Sequence, residues 1–182
     1  MFEGTKSRRG FLTMGFGAAA ALVVTTPLEA AVRRLPERSL HLYNTHTGES
    51  LKTVYWGEGR YQTKAIAQVS RFLRDHRSGD IHPIDPRLLD LMVSVQHKVG
   101  AKGALHIISG YRSPATNAIL ASYSDGVASH SLHMEGKAVD IRLPGHPVRQ
   151  VGRAAKSLKA GGVGIYPASD FVHIDTGRVR TW

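Results

Sequence analysis

The sequence predicts one α+β domain, a small antiparallel sheet with flanking helices, behind a short N-terminal segment of different character. Three observations lead there. Two strand-like runs, 39–44 and 51–56, flank a polar turn; two stretches in the first half carry apolar residues at helical spacing; and the second half holds short apolar runs separated by glycine and proline.

Ser39 to Asn44 and Leu51 to Trp56 read as strands joined by Thr45-His46-Thr47-Gly48-Glu49-Ser50, a turn-forming composition. Tyr61 to His76 reads as a helix, because Ile66, Val69, Phe72 and Leu73 recur at spacings of three and four with Lys and Arg between them. Pro86 opens a second helix, where its missing N–H costs nothing, and Gly100 ends it; Leu88, Leu89, Leu91, Met92 and Val95 form its apolar face. Ala104 to Ser109 is a short apolar strand. Gly110-Tyr111-Arg112-Ser113-Pro114 then turns the chain into a brief helix near Ala115 to Ser122. Ala138 to Leu143 is strand-like, Pro147 to Leu158 a basic amphipathic helix, and Val163 to Tyr166 and Phe171 to Asp175 two further strands around Pro167.

Composition narrows the function. The 182 residues include no cysteine, which removes disulfides, thiolate metal sites and cysteine nucleophiles, so any metal must be held by His, Asp or Glu. The formal net charge is +10, yet the basic residues are scattered, without a long run or interleaved aromatics; this argues for an anionic surrounding and against a nucleic-acid partner. Ser7-Arg8-Arg9-Gly10-Phe11-Leu12, followed by the apolar stretch Ala18 to Val24, has the form of a twin-arginine export signal. That stretch falls short of the roughly 20 residues a spanning helix needs, so no stable transmembrane span is expected. Residues 1–31 are therefore read as the signal, addressed to the twin-arginine export machinery, and 32–182 as the domain delivered to the periplasm.

Ten histidines invite a search for metal ligands, and most of them stand alone. The informative segment is Ser131-Leu132-His133-Met134-Glu135-Gly136-Lys137-Ala138-Val139-Asp140. A His in a loop and an Asp on the next strand converge if the chain reverses between them, and Gly136 supplies the freedom to do so. His173, on the strand-like run Phe171 to Asp175, is the best third ligand. Two imidazoles and one carboxylate leave a fourth position open, as in catalytic zinc sites.

The pattern Ser-x-His-x-x-Gly-x-Ala-x-Asp with a later His resembles the zinc peptidases of the LAS group, which includes D-Ala-D-Ala carboxypeptidases, D-Ala-D-Ala dipeptidases and murein endopeptidases. Asn44 to Ser50, Ile108 to Ser113, Gly161 to Pro167 and the closing Val179-Arg180-Thr181-Trp182 are similar to the YcbK-type murein endopeptidases. The resemblance implies a hedgehog/D-Ala-D-Ala-peptidase-like zinc domain with one Zn2+ per chain on His133, Asp140 and His173. It implies peptidoglycan stem peptides as the substrate, cut at their cross-links, with carboxypeptidase trimming and metal-dependent wall binding as alternatives. It matches Arg112 to an arginine that steadies the carbonyl oxygen as it becomes negative, and Ser131, beside Tyr111 and Arg112, to a residue of the substrate cleft. Related carboxypeptidases place an acid three residues before the last ligand, which is Asp170 here. Asp175 is the rival, since at i+2 on a strand it shares a face with His173 and can alternatively orient that ring.

Overall fold

A computed structural model describes residues 1, 36–124, 126 and 128–182, so the segment read as an export signal, apart from Met1, lies outside the described residues. Eight strands form one sheet: β1 (Arg38–Asn44), β2 (Ser50–Gly57), β3 (Arg60–Tyr61), β4 (Leu105–Ser109), β5 (Ala138–Arg142), β6 (Gly162–Tyr166), β7 (Phe171–Asp175) and β8 (Arg180–Thr181), in the order β3-β2-β1-β4-β5-β7-β6-β8. The helices among the described residues are α1 (Thr63–Phe72), α2 (Pro86–Val99), α3 (Pro114–Tyr123) and α4 (Val148–Leu158), with a 3-10 turn at Leu132–Glu135.

The fold is α+β, but the sheet is neither small nor wholly antiparallel. β1 pairs with β4, and β6 with β8, in parallel. The physical reason is connectivity: β2, β3, α1 and α2 intervene before the chain returns beside β1, a crossover through helices that delivers a strand in the same direction, whereas β8 follows the antiparallel β7 and so runs along β6 again.

Helix ends follow the local chemistry. Asp85 caps α2 by accepting from Arg87 N at 2.9 Å, Pro86 occupies its first turn, and Gly100 closes it at φ 77°. Ser113 caps α3 by accepting from Thr116 N at 3.2 Å. The helix expected over 61–76 is α1, and it stops at Phe72. Tertiary partners end it: the Leu73 carbonyl accepts from Tyr111 N at 2.8 Å, and the buried Asp75 carboxylate accepts from Ser113 N and Ser113 Oγ, both at 2.9 Å. His76, just beyond, stacks flat on His46 instead, with ring centroids 4.1 Å apart.

Strand alternation sorts the sheet into two faces. Leu40 and Leu42 of β1, Leu105 and Ile107 of β4, Val139 and Ile141 of β5, and Val172 and Ile174 of β7 join Val69, Leu88, Leu89, Met92, Val151 and Ala155 of the helices in one core. Their neighbours Asp140, His173 and Asp175 fall on the opposite face. That face carries the polar centre.

Candidate metal centre

Asp140 and His173 are directly paired across β5 and β7, so the register alone sets a carboxylate beside an imidazole. His133 comes from the 3-10 turn that precedes β5. Ser131 caps this turn, accepting from His133 N at 3.3 Å, and Gly136 ends it at φ 64°. A side chain at Gly136 would collide with the Pro83 carbonyl as well as strain the backbone, so glycine is needed there twice over. The reversal expected between His133 and Asp140 is this turn.

The three side chains are buried, and their ligand atoms lie close together. His133 Nε2 is 3.2 Å from His173 Nδ1 and 3.3 Å from Asp140 Oδ1, and His173 Nδ1 is 3.0 Å from Asp140 Oδ1. The other ring nitrogens fix the tautomers. His133 Nδ1 lies 2.7 Å from the Gly110 carbonyl, which only accepts, so it carries the hydrogen. His173 Nε2 lies 3.0 Å from the Asp175 carboxylate and donates to it. In the neutral rings, then, two lone pairs and a carboxylate oxygen point at one another with no hydrogen between them. A proton or a cation at that point relieves the repulsion. Four ligands held tetrahedrally at about 2.0 Å from zinc stand roughly 3.3 Å apart, and the three separations match that spacing. The donor set fits zinc.

The electrostatics agree. Burial would raise Asp140, but His133 and His173 hold it well below the usual carboxylate range. Burial pulls His133 below its ordinary value. Burial also pulls His173 down, but its hydrogen bonds to Asp140 and Asp175 outweigh that and raise it.

Arg112 stands at the edge of this group. Its Nε donates to Ser109 Oγ at 2.9 Å and an Nη donates to Asp140 Oδ2 at 2.6 Å, while its backbone N donates to the His133 carbonyl at 3.2 Å. The guanidinium is thus fixed beside the metal position. Ser131 is buried at the same cleft, which has a volume of about 460 Å³ and is also lined by Arg112, His133, Asp140 and His173. Tyr111 is not among the lining residues; its ring stacks on His82 with centroids 4.8 Å apart.

The two candidate acids sit in contrasting places. Asp175 is fully buried behind His173, where its carboxylate also accepts from Gly162 N at 3.0 Å, Gly177 N at 2.8 Å and Arg180 at 2.8 and 3.1 Å. Burial works to raise it, but the hydrogen bonds from His173, Arg180, Gly177 and Gly162 keep it well below its ordinary range. It meets the His173 ring at Nε2, away from the Nδ1 that faces His133 and Asp140. Asp170 occupies a left-handed turn at φ 52°, is exposed, and pairs with Arg142 Nε at 2.8 Å. It is not among the residues lining the cleft.

The cleft contains residues that sequence reasoning had not assigned: His130, Tyr166, Phe171, Arg180 and Trp182. His130 was visible through its spacing from His133. The others depend on β6, β7 and β8 lying side by side.

Residues 33–182 match the M15 peptidase family model described as "Peptidoglycan L,D-endopeptidase MepK". The chain belongs to this family. It is 41% identical over 176 residues, 97% of both chains, to peptidoglycan L,D-endopeptidase MepK of Escherichia coli (strain K12). The same identity and coverage relate it to the MepK of Shigella flexneri. With the probable peptidoglycan L,D-endopeptidase MepK of Haemophilus influenzae it shares 36% identity over 178 residues, 97% of this chain and 96% of the relative. No solved structure matches the chain. M15 peptidases are zinc-dependent, in keeping with the donor set found here.

Proposed function

We propose that this protein is an exported, zinc-dependent peptidoglycan endopeptidase that hydrolyses stem-peptide cross-links, including those between two diaminopimelate residues. One observation carries the reading: three buried acceptor atoms of His133, Asp140 and His173 converge at zinc-ligand spacing beside a fixed arginine, in a chain of the MepK family. When bound, zinc supplies Lewis-acid activation of water and of the scissile carbonyl. The chain's own residues do the rest. Asp175 holds the His173 ring in the tautomer that presents Nδ1, and Gly110 does the same for Nε2 of His133. Arg112, anchored by Ser109 and Asp140, directs positive charge to where the carbonyl oxygen becomes negative, a contribution typically worth about 3–4 kcal/mol. Ser131 and Arg112 line the substrate cleft.

The twin-arginine segment, lying outside the described residues, supports delivery to the periplasm. Among the described residues no helix is long and apolar enough to cross a membrane. Export is checked by replacing Arg8 and Arg9 with lysine and following the protein between cell fractions.

The activity is tested by digesting purified cross-linked peptidoglycan with and without added zinc and reading the muropeptides by mass spectrometry. Metal-dependent loss of dimers with a matching gain of monomers is expected. Release of terminal D-Ala alone would make it a carboxypeptidase. Unchanged muropeptides from protein that still sediments with the wall material would make it a binding module.

A further inference from the structure

We propose that Trp182 is a substrate-binding residue, its indole forming a fixed aromatic platform beside His173 for the aliphatic part of the stem peptide that adjoins the scissile amide. The inference rests on the peptidase reading above and deepens it.

Trp182 remains 49% exposed and lines the same cleft as the candidate metal ligands. An aromatic ring with that much surface in water is expensive to keep, and it is ordinarily free to turn. This one is locked. Its Nε1 donates to the Tyr166 hydroxyl at 2.6 Å, and the Arg180 guanidinium covers it 4.9 Å from the ring centroid. Its backbone N donates to the Val163 carbonyl and its carbonyl accepts from Ile165 N, both at 3.2 Å. Gly164 packs directly against the Nε1 side of the indole, where a Cβ would stand only 2.6 Å from it. The ring centroid is 5.2 Å from that of His173.

A ring held by Tyr166, Arg180 and Gly164 on an anchored main chain, with half of the residue left exposed, is the arrangement of a recognition platform. The entropy cost of ordering the side chain is met in the free protein, so contact with a ligand adds affinity without further loss. Arg180, which covers the ring, is itself held by Asp175, and Asp175 holds His173, so platform and candidate ligand share one support. The chemistry that suits an indole in this position is a flexible methylene chain and the flat amide beside it. A diaminopimelate residue at a cross-link offers both.

The test uses the full-length protein with Trp56→Phe, which leaves Trp182 as the one tryptophan of the sequence. Zinc-loaded protein is titrated with a purified dimeric muropeptide joined through two diaminopimelate residues, and the emission of Trp182 is followed. A saturable change in emission is expected. In steady-state assays Trp182→Ala should raise KM about tenfold while kcat and zinc affinity stay within about threefold, and Trp182→Phe should recover most of the KM. A fall in kcat and zinc affinity with KM unchanged would reduce Trp182 to a brace for His173 and overturn the proposal. So would an unresponsive Trp182 in protein that cleaves the dimer, a measurement that stands even where the alanine variant does not fold. Protein that neither binds nor cleaves the dimer would overturn the peptidase reading itself.

Discussion

Asp175→Asn distinguishes the two roles open to that carboxylate, because the structure dictates what an amide would do in its place. One oxygen accepts from Gly162 N, Gly177 N and an Arg180 Nη, so an NH2 group there would face three donors. The other accepts from His173 Nε2 and the second Arg180 Nη. The amide nitrogen therefore settles toward His173, where it donates to Nε2 and drives the ring hydrogen to Nδ1. That hydrogen occupies the lone pair aimed at the metal position. Losing such an orienting partner typically costs about 10–100-fold in metal affinity, or about 1.4–2.8 kcal/mol. Arg180 is partly solvated and can turn to water, so the loss of folding stability without metal is smaller than for a fully buried pair, about 2 kcal/mol. In a domain of this size that corresponds to about 4–8 °C in Tm. Zinc affinity is measured by competition with a chromophoric chelator for the wild type, Asp175→Asn and Asp175→Ala. An Asp175→Asn protein that binds zinc within twofold of the wild type, yet loses activity a hundredfold, would refute the orienting role and make Asp175 the proton carrier.

Four further outcomes are expected. Arg112→Lys cannot span both Ser109 and Asp140, and should lower kcat by about 10²–10³ with zinc affinity changed far less; a kcat near that of the wild type would remove Arg112 from oxyanion stabilisation. Asp170→Asn should leave kcat within about fivefold, because the carboxylate is exposed and spent on Arg142; a hundredfold loss would show that it leaves this pair to move the proton. Zinc at a hundredfold excess over its Kd should stabilise the fold by about 2.7 kcal/mol, seen as a rise in Tm that chelator reverses; the absence of any shift would count against the metal centre. His76 gives a dependence on pH. Burial, with help from His46 and Arg77, lowers its pKa to about 4, so the folded state takes up this proton less readily than the unfolded chain. The stability it supports is complete above the ordinary imidazole value and drains away as pH falls from there toward 4. Urea midpoints across that interval should fall less steeply for His76→Gln than for the wild type.

What the sequence made legible follows from the range of the forces involved. Pro86 and Gly100 mark the ends of α2 through contacts within one turn, so those ends were readable, while the caps Asp85 and Ser113 act over the same short range. Strand period put Asp140 and His173 on the face opposite Val139, Ile141, Val172 and Ile174, and the pairing of β5 with β7 then brought them together. The end of α1 was not readable, because the helical pattern runs on through Leu73 while the Leu73 carbonyl and Asp75 are taken by residues 111 and 113. The parallel pairings were hidden for the same reason: β8 is two residues long, and nothing local says that it lies beside β6. The wall of the cleft formed by Arg180 and Trp182 exists only through that pairing. The two acids show the limit most clearly. Spacing offered Asp170 and Asp175 alike, and period two correctly put Asp175 on the face of His173. Which edge of the ring it meets is decided by Gly162 N, Gly177 N and Arg180, all assembled by β6 and the segment after β7. Asp170, one residue before β7, adopts φ 52° and turns onto Arg142 of β5. Whether a carboxylate three residues from a candidate ligand faces the site thus depends on the turn that carries it, and the conformation of that turn is set by its neighbours across the sheet.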